Sequence, residues 1–457
     1  MISEFFLAIT GALALFLTRV RLFKMIAAPY YFASLAIAAL LTLCQAEEAN
    51  SLAGYGFHAF RHIRVICIVL GGACILLFDS ETKPAIPGLF FLALSGLSTM
   101  IYSQDLLTLY IGTEVVALSA CISIGLDNND ATGSNGALRY FFLGCLSSCF
   151  FLFGTSVVYG CIGSLQFDDL VKYSLSLKEQ SVVLRAYIFG FAMILASLCF
   201  KIGLFPFHAW IPGTYQGASS YVTTFIATCV KIVSVLVFIR LFCGVFQNFS
   251  YKFRTLILVL SLTSCTIGTI GAMTQENVKK MLGYSSIGHL GYAFLAAVLR
   301  SKIPTGSMMV GYVAIHIASL FPMLAAMCML EKIEGSLNGG REQINIASLD
   351  SFADKYPVQA LIIMISMLSI VGIPPFIGFV GKASIIYMMF EGGMYWPGIY
   401  VSLLSVVNTV YCLHVLDAMY FVRGKSLAVI KTNGRCTLIF VFFGIINIAY
   451  IAFWCTL

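Results

Sequence analysis

Four ionisable residues lie where the surrounding sequence offers them no water. Glu114 is embedded in LLTLYIGTEVVALSACISIGL, Lys201 in ILASLCFKIGLFPF, Lys231 in TTFIATCVKIVSVLVF and Lys382 in FIGFVGKASIIYMMF. Placing one such charge at the centre of an apolar span costs at least about 2.5–3.5 kcal/mol. Either they hold helices together as ion pairs or they act. Three cations cannot all pair with one anion, so a set of titrating groups is the sharper reading. In water a lysine, with a pKa of about 10.4, holds its proton too tightly to pass it on. Desolvation loosens that hold and a nearby carboxylate tightens it. A lysine that alternates between those surroundings takes up and releases protons near neutrality. A Glu–Lys pair of variable separation is then a switch.

His208, His289 and His316 also lie in or beside apolar runs. Their ordinary pKa near 6.5 suits them as intermediates between lysines, although a lone membrane histidine can equally be a hydrogen-bonded packing residue. His414 and Asp417 share one helical face three residues apart, and Arg240 reads as a side chain that snorkels to the interface. Two breaks accompany the lysines. Pro206 follows Lys201 by five residues, whereas Pro374 and Pro375 precede Lys382 by eight and seven. Interrupted helices at corresponding places in two halves point to a transport site. The reversed order of proline and lysine is what inverted repeats would give; two unrelated proline kinks are the alternative. The fifteen cysteines mostly lie inside apolar stretches, with no CxxC pair and no Cys/His cluster at zinc or iron–sulfur spacing. They read as small polarizable hydrophobes, so no metal site is expected.

The elements that position these groups follow from composition. Of 457 residues, 60% are apolar and only 10% charged, and the mean hydropathy is +0.94. A soluble globule carries about a quarter charged residues. A soluble enzyme, a nucleic-acid binder and a disordered scaffold are thereby excluded. The net charge of +7 is scattered through short connections with no basic run, so it bears on membrane orientation rather than on a polyanionic partner. Apolar runs of spanning length number about fourteen, and no ten-residue alternation of a porin-type barrel appears. The run at 357–390 is too long for one straight crossing and reads as two half-helices around Gly372-Ile373-Pro374-Pro375. The expected fold is an all-α integral membrane protein. Its expected divisions are 1–83, a first repeat at 84–246, a second and inverted repeat at 247–425, and a last helix in 426–457. Lys and Arg number fourteen after odd-numbered spans against ten after even-numbered ones. That bias predicts both ends on the outer face.

Three stretches carry a family resemblance: KIGLFPFHAWIPGTYQGASSYVTTFIATCVK, NVKKMLGYSSIGHLGYAF and IVGIPPFIGFVGK. They resemble the antiporter-like, proton-translocating membrane subunits of respiratory complex I (NADH:ubiquinone oxidoreductase). The segment PFHAWIPGTYQG is closer to its subunit 2 than to subunits 4 or 5. The resemblance covers roughly 95–425. It implies fourteen transmembrane helices with two inverted five-helix repeats and broken seventh and twelfth helices. It also implies roles: Glu114 as the fifth-helix glutamate that modulates Lys201, Lys231 as the central lysine, and Lys382 as the twelfth-helix lysine. Partners would be the other membrane-arm subunits of complex I, antiporter-like neighbours included, together with lipids, and no nucleic acid. No cofactor is expected in this chain; NADH, FMN, iron–sulfur clusters and ubiquinone would belong to partner subunits. The membrane would be the mitochondrial inner membrane or a bacterial plasma membrane. Multi-subunit cation/proton antiporters share the general pattern and supply the alternative. His316 in VAIHIASLFPM is a feature shared with the larger antiporter-like subunits.

Overall fold

In a computed structural model, residues 2–17, 21–44, 57–77, 85–127, 131–176, 182–299, 305–338, 344–422 and 442–447 are described. Helices follow one another with no strand among them; two isolated bridges, Asp105 with Gln166 and Asn277 with Asn345, tie connections together. In chain order the first helices are α1 (Ile2–Leu17), α2 (Arg21–Cys44), α3 (Phe57–Leu77), α4 (Ala85–Tyr102), α5 (Leu106–Asp127), α6 (Ala131–Ile162), α7 (Phe167–Ser176) and α8 (Val182–Ile202). Next come α9 (Trp210–Gly217), α10 (Ser220–Phe225), α11 (Lys231–Ile239) and α12 (Gln247–Ser250). The remainder are α13 (Arg254–Met273), α14 (Val278–Val298), α15 (Thr305–Asn338), α16 (Phe352–Lys355), α17 (Pro357–Val371), α18 (Ile377–Glu391), α19 (Tyr395–Val407) and α20 (Thr409–Tyr420). Nine stretches among the described residues are long and apolar enough to cross a membrane. Of the expected last helix at 436–456, only 442–447 lies within the described residues, and it is helical.

The chain divides into two compact units. The first holds Met1–Ile202 and Thr228–Phe253, the second Gly203–Ala227 and Arg254–Leu457. Within the first, α6 packs closely on α8, because Gly154 and Gly190 face each other. A Cβ on Gly154 would stand 2.6 Å from the Gly190 carbonyl oxygen. In a membrane, where lipid is as apolar as leucine, such small-residue contacts are a main source of helix association. Ser147 strengthens the contact: its Oγ lies 2.9 Å from Ser197 Oγ and 3.1 Å from the Ser197 carbonyl oxygen.

Regular helix stops at Ile202 and resumes at Trp210, and stops again at Val371 and resumes at Ile377. Each gap opens on a glycine in the left-handed region, Gly203 at φ +87° and Gly372 at φ +83°, which side chains disfavour. Each also holds one of the proline sites, Pro206 or Pro374-Pro375, which lack an N–H. Backbone left unpaired at membrane depth must find other partners. Ser264 Oγ accepts the N–H of Phe205 at 2.9 Å, and Ser369 Oγ accepts the N–H of Gly378 at 3.2 Å. At the second gap α18 presses on the end of α17, so that a Cβ on Gly378 would fall 1.8 Å from the Ser369 carbonyl oxygen. Gly378→Ala is therefore expected to displace α18 and lower the amount of folded protein. Gly311→Ala, whose Cβ would meet nothing within 4 Å, is the neutral control. Equal amounts of both variants on immunoblots of membranes would show that this contact is dispensable.

The span around Lys231 contains no proline. It nevertheless carries π turns at Ile226–Val230 and Arg240–Val245, an i→i+5 pattern that no proline announces. Helix α15 runs on to Asn338, and Glu331 on it has a buried partner described below.

Candidate functional site

Glu114 and Lys201 come together in the first unit. Glu114 projects from the third turn of α5, and Lys201 from the last turn of α8, just before the gap. Lys201 Nζ stands 3.7 Å from Glu114 Oε1, within ion-pair range but beyond a direct hydrogen bond. The same oxygen accepts a short hydrogen bond from Ser148 Oγ on α6. Their side chains are 15% and 29% exposed, so the pair is neither sealed in the core nor open on all sides.

Lys231 belongs to the same unit and is 4% exposed. It opens α11 directly after the π turn, in a span, Ser220–Val245, that is buried throughout. Arg240 closes α11; its Nη1 donates to the Ile101 carbonyl at 2.9 Å and its guanidinium lies 4.9 Å from the Phe167 ring centroid.

In the second unit Lys382, also 4% exposed, is held by the broken helix itself. Its Nζ donates at 2.7 Å to the carbonyl of Val371, the last residue of α17, and lies 5.3 Å from the Tyr292 ring centroid. That carbonyl is available because Gly372 turns the chain away from the helical path. Near it the imidazoles of His289 and His316 stack with centroids 4.1 Å apart, and His289 Nδ1 is 2.8 Å from Tyr312 Oη. His289, Tyr312, His316, Ser319, Ser369 and Gly378 help line a cavity of about 10 Å³, about the room one water needs. Tyr292 bridges the two features, its ring 6.2 Å from that of His289. His208 lies in the turns of the first gap, half-buried, 5.7 Å from the Phe205 ring. His414 and Asp417 are exposed on α20.

Lysines next to interrupted helices occur in both units, a feature that points to transport, and comparison with known sequences gives the chain a family. The profile described as NADH:quinone oxidoreductase/Mrp antiporter, TM, matches residues 103–408. The chain belongs to the NADH:quinone oxidoreductase/Mrp antiporter transmembrane family. Among similar proteins of this family, NADH-quinone oxidoreductase subunit N of Azoarcus sp. is 32% identical over 343 residues, which is 74% of this chain and 69% of the relative. Subunit N of Jannaschia sp. is 30% identical over 370 residues, 79% of this chain and 74% of the relative. Solved structures share the fold. A chain of respiratory complex I from Thermus thermophilus superposes with a TM-score of 0.80 at 22% identity, covering 98% of this chain and 96% of that one. A chain of the Mrp complex from Dietzia sp. gives 0.81 at 18% identity, covering 94% and 81%.

This member of the transmembrane family also buries charges beyond the four embedded in apolar runs. Arg64 is fully buried in α3; its guanidinium donates to Ser3 Oγ, lies 3.7 Å from Glu4 Oε1 and stacks over Tyr102. Lys279 on α14 and Glu331 on α15 form a buried ion pair at 2.9 Å. Lys279 Nζ also donates to the Ala218 carbonyl at 2.7 Å, and Glu331 Oε2 accepts the Ser220 N–H at 3.0 Å. Together they clasp the joint between α9 and α10 to α14 and α15. Removing one member of a buried pair leaves a stranded charge and costs about 3–5 kcal/mol. Lys279→Met is therefore expected to deplete the protein from membranes, and adding Glu331→Leu to restore most of it. A single variant as abundant as wild type would show that the clasp contributes nothing.

Proposed function

We propose that this chain is the proton-translocating membrane-arm subunit of NADH:quinone oxidoreductase, the counterpart of bacterial subunit N and of subunit 2 in the mitochondrial enzyme. The observation that carries the reading is the Glu114–Lys201 pair at the end of a helix that stops inside an apolar run. The names of the relatives support it. Protons would pass along a relay of Lys201, Lys231 and Lys382, with Glu114 tuning the first and with His208, His289 and His316 as intermediates. The small cavity at the histidine pair is placed to hold the water such transfer needs. Pro206 and Pro374-Pro375 serve by opening the helices beside the lysines.

Fourteen transmembrane helices in two inverted five-helix repeats, at 84–246 and 247–425, are the architecture of this reading. Supporting it are the nine long spans, the shorter apolar helices at Ser3–Phe16, Pro29–Thr42 and His62–Ile75, and α17 with α18 as one broken crossing. No cofactor belongs to this chain; NADH, FMN, iron–sulfur clusters and quinone are held by partners, and redox energy arrives from them. The setting is a bacterial plasma membrane or the mitochondrial inner membrane, beside other membrane-arm subunits.

The test is NADH-driven proton translocation in membrane vesicles from cells lacking the chain and from cells in which it is restored. Loss and recovery of pumping with NADH oxidation supports the reading. Intact NADH-driven pumping, with a lost sodium- or potassium-dependent proton exchange, would assign the chain to a cation/proton antiporter instead.

A further inference from the structure

The ion pair of Glu114 and Lys201 is held apart at 3.7 Å, and the side chain that stands beside it is Ser148. Its hydroxyl has one proton and, besides a hydrogen bond with the Tyr110 hydroxyl, reaches two oxygens that only accept, Glu114 Oε1 and the carbonyl of Gly144 at 3.1 Å one turn back on α6. The first is the oxygen that faces Lys201. The second is the ordinary resting place of a serine hydroxyl in a helix. The backbone that carries Ser148 is well placed, because neighbouring Ser147 and the Gly154–Gly190 contact fix α6 on α8, the helix that carries Lys201.

We propose that Ser148 is a positioning residue for Glu114. Its hydroxyl proton, shared between the carboxylate and the Gly144 carbonyl, sets how closely the carboxylate approaches Lys201. When the hydroxyl donates to Oε1 it occupies one lone pair and satisfies part of the charge, and the lysine is kept at a distance from which it can leave. When the hydroxyl swings back to Gly144, that oxygen is free to take the ammonium directly. No bond is made or broken; one hydrogen bond changes acceptor. Ser148 thereby makes the two separations of the Glu–Lys pair comparable in free energy, the condition for a pair that switches rather than locks. This inference rests on the relay reading given above.

Four variants in membranes containing the whole complex test it, with proton pumping expressed per assembled complex. Hydrogen bonds to charged groups are strong enough that Ser148→Ala should lower pumping by about tenfold. Ser148→Thr, which keeps the hydroxyl, should restore most of it. In a Glu114→Gln background Ser148→Ala should add no further loss, because the group it positions is gone. Ser148→Ala with normal pumping beside an impaired Glu114→Gln overturns the assignment. So does Ser148→Thr behaving like alanine, or a serine variant that reduces only the amount of complex. Normal pumping by Glu114→Gln would instead overturn the relay reading, and the role of Ser148 with it.

Discussion

Lys231→Met is expected to abolish proton translocation through this chain while leaving the protein in place. Methionine keeps most of the length and volume of lysine, and volume-conserving changes are the ones a packed interior tolerates. The site is 4% exposed in a span that is buried throughout, so replacing the ammonium removes a buried charge rather than a solvated one. Folding should not suffer; proton passage should. Loss of a positioned acid–base group costs about 10²–10⁴-fold. Arginine gives a second arm. It keeps the positive charge but does not release its proton in a protein, so Lys231→Arg should fail as methionine does if release is what matters. Pumping assays on assembled complex decide it. An assembled methionine variant that pumps normally removes Lys231 from the path, and rescue by arginine would reduce its role to a fixed charge.

Glu114→Gln should impair pumping per assembled complex, and Glu114→Asp should impair it less. The argument is electrostatic. At an effective dielectric of about 20, unit charges about 4 Å apart attract by about 4 kcal/mol, which is about three orders of magnitude in an equilibrium constant. The observed separation of 3.7 Å puts this pair at that scale. A shift of the carboxylate by the length of one bond then weakens the attraction by about 1 kcal/mol, a several-fold change in how tightly the lysine holds its proton. Glutamine removes the charge; aspartate keeps it on a side chain one methylene shorter. If the pair only braces α5 against α8, Glu114→Gln lowers the amount of complex and leaves pumping per complex unchanged. Measuring both quantities in one set of membranes separates the two roles.

The parts of this molecule that were legible in its sequence are those written in composition. Apolar runs of spanning length mark the helices. Charges inside them mark Glu114, Lys201, Lys231 and Lys382, and glycine with proline marks both gaps. What escaped depends on facing direction. Lys279 and Lys280 are neighbours at the start of an apolar run and look alike in sequence. A helix turns by about 100° per residue, so Lys279 is buried against Glu331 while Lys280 is not. Arg64 likewise stands at the start of an apolar run, and only the fold shows that it is buried. Ser148, Ser264 and Ser369 could not be singled out, since serines are common along these helices and only the fold shows which hydroxyl meets a carboxylate or an open N–H. The π turn before Lys231 is invisible in principle, because it consists of a changed hydrogen-bond register with no residue type to announce it.

The anchor of Lys382 differs in kind from that of Lys201. A carboxylate can itself be neutralised, and its hold on an amine then collapses; a peptide carbonyl has no second protonation state within reach of biology. The Val371 oxygen can accept from Nζ whether that nitrogen carries three hydrogens or two, more strongly from the charged form. Lys382 therefore keeps an acceptor in reach in either charge state without a movement of its own side chain. One lysine of this chain is thus held by a partner whose charge can change, and another by a partner whose charge cannot.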